Sequence, residues 1–202
     1  MRFVYGTTNG SKIKLMKSTL KRLDIEIIGI PDILEMGIDI IENGKNPLDN
    51  ALIKAKKYYD ILHVPVFSCD TGLFIDEPDT DTQPGTHVRN INGKRLSDEE
   101  MICYYSDIAK RFGGACTAYY QNAICCVTDN GIYKKMDSSI ASKKFTLTST
   151  PHEKRHVGFP LDSISVDRHT GEYFVNTSNR DILDVSDGYC EFFEYILREI
   201  GE

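Results

Sequence analysis

Arg2-Phe3-Val4-Tyr5-Gly6-Thr7-Thr8-Asn9-Gly10-Ser11-Lys12 is the stretch from which the fold can be read. Residues 2–5 are apolar and β-prone, and they stop at Gly6 in a polar turn. Ile13, Leu15, Met16, Leu20 and Leu23 then recur at helical spacing, which predicts a helix over 11–22. The turn between them has two readings. Free N–H groups and the positive dipole end of a helix suit a bound anion. The same residues also make an ordinary helix cap. A Walker phosphate loop is excluded by spacing, because Gly10 precedes Ser11 rather than a lysine.

Working outward, Ile25–Ile30 reads as a second strand stopped by Pro31, and Asn46-Pro47 starts a helix over 48–61. Val64–Cys69 is a buried strand, followed by a long Gly/Pro/Asp/Thr-rich loop over 76–94. Ser97 caps a helix to about Lys110. Strands are expected near 116–128 and 131–142, joined by the hairpin turn Asp129-Asn130-Gly131, with another near 144–148. An irregular basic stretch spans 151–162 and a last helix about 188–200. Interleaved strands and helices with a central hairpin predict an α/β fold with a mixed sheet.

The 202 residues suit a single domain, and 41% hydrophobic content is enough for a real core. With 24 Lys+Arg against 30 Asp+Glu, the net charge of −6 argues against nucleic-acid or anionic-membrane binding. No run approaches the roughly 18 apolar residues of a membrane span. The first residues lack the apolar stretch of a signal peptide, and the six cysteines show no Cys-x-x-Cys spacing. The expectation is a soluble, cytoplasmic protein with reduced thiols.

His152-Glu153-Lys154-Arg155-His156 matches the His-Glu-x-x-His zinc signature in form, which keeps a zinc hydrolase through His152 and His156 as one alternative. Its context opposes it. Pro151 allows only a helix start, and Gly158 and Pro160 end any helix within two turns.

Four segments carry a common chemistry: Thr7-x-Asn9-x-x-Lys12; Glu42-Asn43-Gly44 with Asp49-Asn50-Ala51-Leu52-Ile53-Lys54-Ala55; Asp70-Thr71-Gly72-Leu73; and Gly158-Phe159-Pro160-Leu161-Asp162 with Ser178-Asn179-Arg180. Together they supply two cations for phosphates, two carboxylates for a hard metal, and an aromatic beside a carboxylate for a base. In this order and spacing they resemble the inosine triphosphate pyrophosphatase family, from about residue 3 to the last helix. That resemblance implies a three-layer α/β fold with two lobes flanking a nucleotide cleft, usually in a homodimer. It implies Mg²⁺-dependent cleavage of non-standard purine triphosphates (ITP, dITP, XTP) to the nucleoside monophosphate and pyrophosphate.

Residue by residue, the resemblance places Glu42 and Asp70 on the metal, with Asp70 also orienting or deprotonating the attacking water. It places Thr7, Thr8, Asn9, Lys12 and Lys54 on the phosphates, Lys12 also serving the chemistry. Phe159, Asp162, Ser178, Asn179 and Arg180 fall on the base. The chain departs from the family at several points. Cys69 stands where a second acid often precedes Asp70, and Ile41 where one precedes Glu42. Pro160 and Leu161 replace a glycine and a tyrosine, Asn179 a histidine, and Phe174 a lysine. Arg155, just before Phe159, is a candidate to replace the donor lost at Phe174. A nucleotide-binding module of the same fold, with altered base specificity or without turnover, is the other alternative.

Overall fold

The computed structural model describes residues 1–33, 38–77, 83–177 and 183–201. Nine strands and four α-helices are seen among them. In chain order these are β1 (Arg2–Tyr5), α1 (Gly10–Thr19), β2 (Glu26–Gly29), α2 (Pro47–Leu62), β3 (Val66–Ile75), β4 (Asn90–Ile91) and β5 (Lys94–Arg95). There follow α3 (Asp98–Arg111), β6 (Ala115–Thr128), β7 (Gly131–Lys135), β8 (Phe145–Thr148), β9 (Ser165–Val166) and α4 (Leu183–Glu199). The main sheet has the order β2-β1-β3-β6-β8-β9, with β7 also on β6. It is mixed, as expected: β1 runs parallel to β2 and β3, while β6 pairs antiparallel with β7 and β8. Among the described residues, no helix is long and apolar enough to cross a membrane.

The chain forms two compact units, and the long strands β3 and β6 contribute to each. The first contains residues 1–71, 121–141 and 182–202. Its strands alternate faces with period two. Phe3, Tyr5, Phe67, Cys69, Ile124 and Cys126 pack with Ile13 and Met16 of α1 and with Tyr189, Phe192, Phe193 and Ile196 of α4. Val4 and Val66 point the other way, against Tyr58 of α2, and Cys125 and Val127 meet Ala51 and Ala55 of the same helix. This unit therefore has three layers, helices on both faces of the sheet. Tyr5 stacks on Phe67 with centroids 4.5 Å apart, and Phe193 meets Phe67 edge-on at 5.1 Å.

The second unit contains residues 72–120 and 142–181. Its core joins Leu73 and Ile75 of β3, Met101, Ile102, Tyr105 and Ala109 of α3, and Phe145 and Leu147 of β8. Ser97 caps α3 as expected, its hydroxyl accepting from Glu100 N while the Glu100 carboxylate accepts from Ser97 N.

Three element boundaries differ by five residues or more from those expected, and the loop expected over 76–94 carries β4. β3 continues to Ile75, so Asp70 sits within a strand rather than at its end. The strand expected over 131–142 ends at Lys135, because the Asp137 carboxylate accepts from Ser139 N and starts a 3-10 turn at Ser138–Ile140. The last helix begins at Leu183 instead of 188. Gly188 continues that helix because it packs directly on backbone, where a Cβ would collide with the Ser139 carbonyl. All six cysteines are free thiols.

Candidate active site

In the first unit, β1 delivers the chain through Gly6 to the turn before α1, and the cap reading of this turn is realised. Asn9 Oδ1 accepts from Ser11 N at 3.0 Å and Lys12 N at 3.3 Å, and Thr7 Oγ accepts from Asn9 N at 3.2 Å. The Asn9 carbonyl oxygen is committed to the helix, so a phosphate contact from this residue falls to its Nδ2 amide. Lys12 lies in the first turn of α1 and is half-buried.

α2 supplies the other cation. Asn46 caps it by accepting from Asp49 N at 3.0 Å, and Pro47 occupies the first turn, where its missing N–H costs nothing. On the sheet-facing side, Asn50 and Lys54 are one turn apart and both reach Asp70. Lys54 Nζ donates to Asp70 Oδ1 at 3.1 Å and to Glu42 Oε2 at 3.0 Å, while Asn50 Nδ2 donates to Asp70 Oδ2 at 3.0 Å. Both oxygens of Asp70 are thus held by α2. The Asn50 Oδ1 in turn accepts from Gly44 N at 2.8 Å, which ties the loop carrying Glu42 to the same helix. Gly44 must be glycine: a Cβ would lie 2.6 Å from Asn50 Oδ1.

The electrostatics follow from this packing. Burial alone would lower the Lys54 ammonium, but the Asp70 and Glu42 carboxylates outweigh it, and its pKa is raised. Lys12 goes the other way. Burial first, then repulsion from Lys54, hold it below its ordinary value against the pull of Asp70, Cys69 and Glu42. Burial pushes the Cys69 thiol up to about 12, so it is neutral at pH 7 although hydrogen-bonded to Tyr5 and close to both lysines. Glu42 and Asp70 therefore meet at Lys54, and Lys12 lies close enough to interact with all three charges. The motif alone does not reveal what Asn50 does; its contacts with Asp70 and Gly44 do. The Cys69–Tyr5 contact left no trace in the sequence.

In the second unit, Phe159 is half-buried and leads into a 3-10 turn at Pro160–Ser163. Leu161 is a core residue, and Asp162 is buried with its Oδ2 2.8 Å from His156 Nδ1. Phe174 is half-buried and packs against Phe145 at 5.2 Å, so the position of the missing lysine now leans on the core. Arg155 is held by Glu99, with Nε 2.7 Å from Oε1 and Nη2 3.3 Å from Oε2, and also donates to the His152 carbonyl. Its guanidinium is engaged on α3 rather than aimed at Phe159 or Asp162. Ser178, Asn179 and Arg180 lie outside the described residues.

The zinc signature does not form its helix. His152 Nδ1 accepts from Lys154 N at 3.0 Å, whereas His156 turns to Asp162, so the two rings serve different partners. Among the described residues, no group of three or more His, Cys, Asp or Glu side chains could hold a metal ion.

A family model described as the Ham1 family matches residues 3–170. A dITP/XTP pyrophosphatase of Leptospira interrogans is 32% identical over 125 residues, covering 62% of this chain and 61% of that protein. The chain thus spans about three-fifths of the length of that relative. One from Borreliella burgdorferi is 27% identical over 188 residues, covering 90% of this chain and 84% of its own. Among solved structures, a HAM1 protein from Coxiella burnetii superimposes with a TM-score of 0.73 at 21% identity, covering 98% and 99% of the two chains. The Staphylococcus aureus Ham1 protein gives 0.69 at 18%, covering 97% of this chain and 100% of its own. At such identities the likeness is one of fold.

Proposed function

The chain belongs to the Ham1 family, and on that premise we propose that it is a Mg²⁺-dependent pyrophosphatase of (deoxy)nucleoside triphosphates. The products are the nucleoside monophosphate and pyrophosphate, and the substrates are non-standard purine nucleotides such as dITP, ITP and XTP. The naming of its curated relatives as dITP/XTP pyrophosphatases supports the substrate class. The observation that carries the reading is the shared contact of Glu42 and Asp70 with one ammonium, Lys54 Nζ, beside a second cation on Lys12. A protein that only held a nucleotide would have little need of both carboxylates.

The donor set fits Mg²⁺. Two carboxylate oxygens already face a single cation, and such an ion takes its other ligands from phosphate and water. When bound, it would supply charge neutralisation along the polyphosphate. The chain's own groups do the rest. Asp70, oriented by Asn50, accepts a proton from the attacking water. Lys12 and Lys54 offset the charge that develops on the leaving pyrophosphate, and Thr7, Thr8 and the Asn9 amide position its oxygens. Phe159 stacks on the base, Asp162 accepts from its ring N–H, and Ser178, Asn179 and Arg180 complete base recognition. The working form is a soluble, cytoplasmic homodimer, checked by light scattering.

Pyrophosphate release from ITP, XTP, dITP, GTP, ATP, CTP, UTP and dTTP with Mg²⁺ tests the reading. Release confined to ITP, dITP and XTP is expected, falling roughly 10²–10³-fold in Glu42→Gln and in Asp70→Asn. Binding of nucleotide without any release would instead favour the binding module.

A further inference from the structure

Lys54 has a feature that a phosphate-binding lysine does not require. Its ammonium already commits two of its three N–H donors to carboxylates, at 3.0 Å to Glu42 and 3.1 Å to Asp70. Its side chain is only 13% exposed and that of Asp70 12%, so this pair is largely withdrawn from water, whereas Glu42 at 42% stays open to it. A withdrawn carboxylate is costly unless paired, and truncating one partner of such a pair is strongly destabilising. The preceding residue is a thiol, Cys69, not a third carboxylate. The local count is two lysines, Lys12 and Lys54, against Glu42 and Asp70. The cluster balances without any added ion.

We propose that Lys54 is the built-in counter-ion of the two carboxylates: it occupies the place of the divalent cation, and it gives way only when a polyphosphate offers its ammonium new partners. The inference rests on the metal-dependent reading above. Its physical basis is competition. A divalent cation approaching Glu42 and Asp70 alone meets an ammonium on the same oxygens and another nearby on Lys12. A triphosphate brings about four negative charges, and the flexible four-carbon stem of lysine lets Nζ move to them. Glu42 and Asp70 would then be released to hold a cation only once a nucleotide is bound. Lys54 thereby acts as a positioning residue for both carboxylates in the unliganded protein, in addition to its contact with phosphate.

The test uses Mn²⁺ alone as probe, titrated into the native chain, Lys54→Met, Lys54→Gln and Lys54→Arg, and followed by the loss of the free-ion paramagnetic signal. Both uncharged variants should bind Mn²⁺ at least tenfold more tightly than the native chain, and Lys54→Arg, which keeps the cation, should match it. Thermal melts of the same proteins give a second readout. Mn²⁺ should raise the melting temperature of Lys54→Met and Lys54→Gln more than that of the native chain. Recovery of a poorly folded variant by Mn²⁺ counts as support, since the ion then replaces the lysine. Equal or weaker Mn²⁺ binding by the uncharged variants, or failure of both to fold at any Mn²⁺ concentration, overturns the proposal. If the native chain still hydrolyses triphosphates only with metal, the counter-ion role alone falls. No metal-dependent hydrolysis and no Mn²⁺ binding by any of the four proteins would sink the underlying reading too.

Discussion

Asn50 and Asp70 form a buried amide–carboxylate pair, Nδ2 to Oδ2 at 3.0 Å, and the other end of the same amide holds the backbone N–H of Gly44. One side chain therefore sets the orientation of Asp70 and the path of the loop bearing Glu42. Asn50→Leu leaves Asp70 Oδ2 without its donor, a loss of about 1–3 kcal/mol. Expressed in the transition state, that is roughly a 5- to 150-fold fall in kcat. Gly44→Ala should act on the same link by collision, since the added Cβ lies 2.6 Å from Asn50 Oδ1. Steady-state kinetics with a thermal melt for each variant check this. Unchanged kcat in Asn50→Leu would show that Asp70 is oriented without it.

The two lysines should separate by pH. Lys12 is held below its ordinary pKa, chiefly by burial and then by Lys54, whereas the carboxylates raise Lys54. A charge needed for turnover and carried by a lowered lysine is lost at lower pH than one carried by a raised lysine. The alkaline limb of kcat/KM should therefore belong to Lys12 and fall before Lys54 deprotonates. Arginine stays charged throughout this range, so Lys12→Arg should move the limb to higher pH, whatever its effect on the plateau. A limb that stays in place assigns the ionisation elsewhere.

How much of this was legible in the residues depends on whether the contact lies within one element or between several. β1, α1, α2 and α3 could be read because their caps and periodicity are local: Asn9, Asn46-Pro47 and Ser97 stand where their helices begin. The early start of α4 could not, because Gly188 is set by the Ser139 backbone, far away in sequence. The same distinction holds in the site. Glu42, Lys54 and Asp70 were found from motif spacing, but their joint contact at one ammonium needs the fold to bring the loop, α2 and β3 together. His152 and His156 show the converse, a local motif whose helix never forms.

Arg155 grips Glu99 through two nitrogens on the surface of α3. An exposed pair of this kind contributes little to stability, because solvent screens it. Arg155→Ala should accordingly lower stability slightly and leave the order of preference among triphosphates as it was. The nucleotide panel repeated on the variant decides it. A changed base preference would return Arg155 to the role of surrogate donor for the position now filled by Phe174.

The pairing of His156 with Asp162 should matter more. Asp162 is buried, and His156 Nδ1 lies 2.8 Å from its Oδ2, an arrangement that orients the carboxylate. A carboxylate so held accepts from a purine ring N–H and disfavours a base that presents a lone pair at that edge. His156→Ala removes the orienting ring while leaving the phosphate-binding residues of the first unit unchanged in sequence. The expected outcome is a KM for dITP raised by about tenfold, equivalent to about 1.4 kcal/mol, with kcat changed far less. His156→Asn, which keeps a hydrogen-bonding group, should recover part of the loss. A drop in kcat at constant KM would contradict a role in base recognition and point to a purely structural tie between the loop at 151–158 and the turn at Pro160–Ser163.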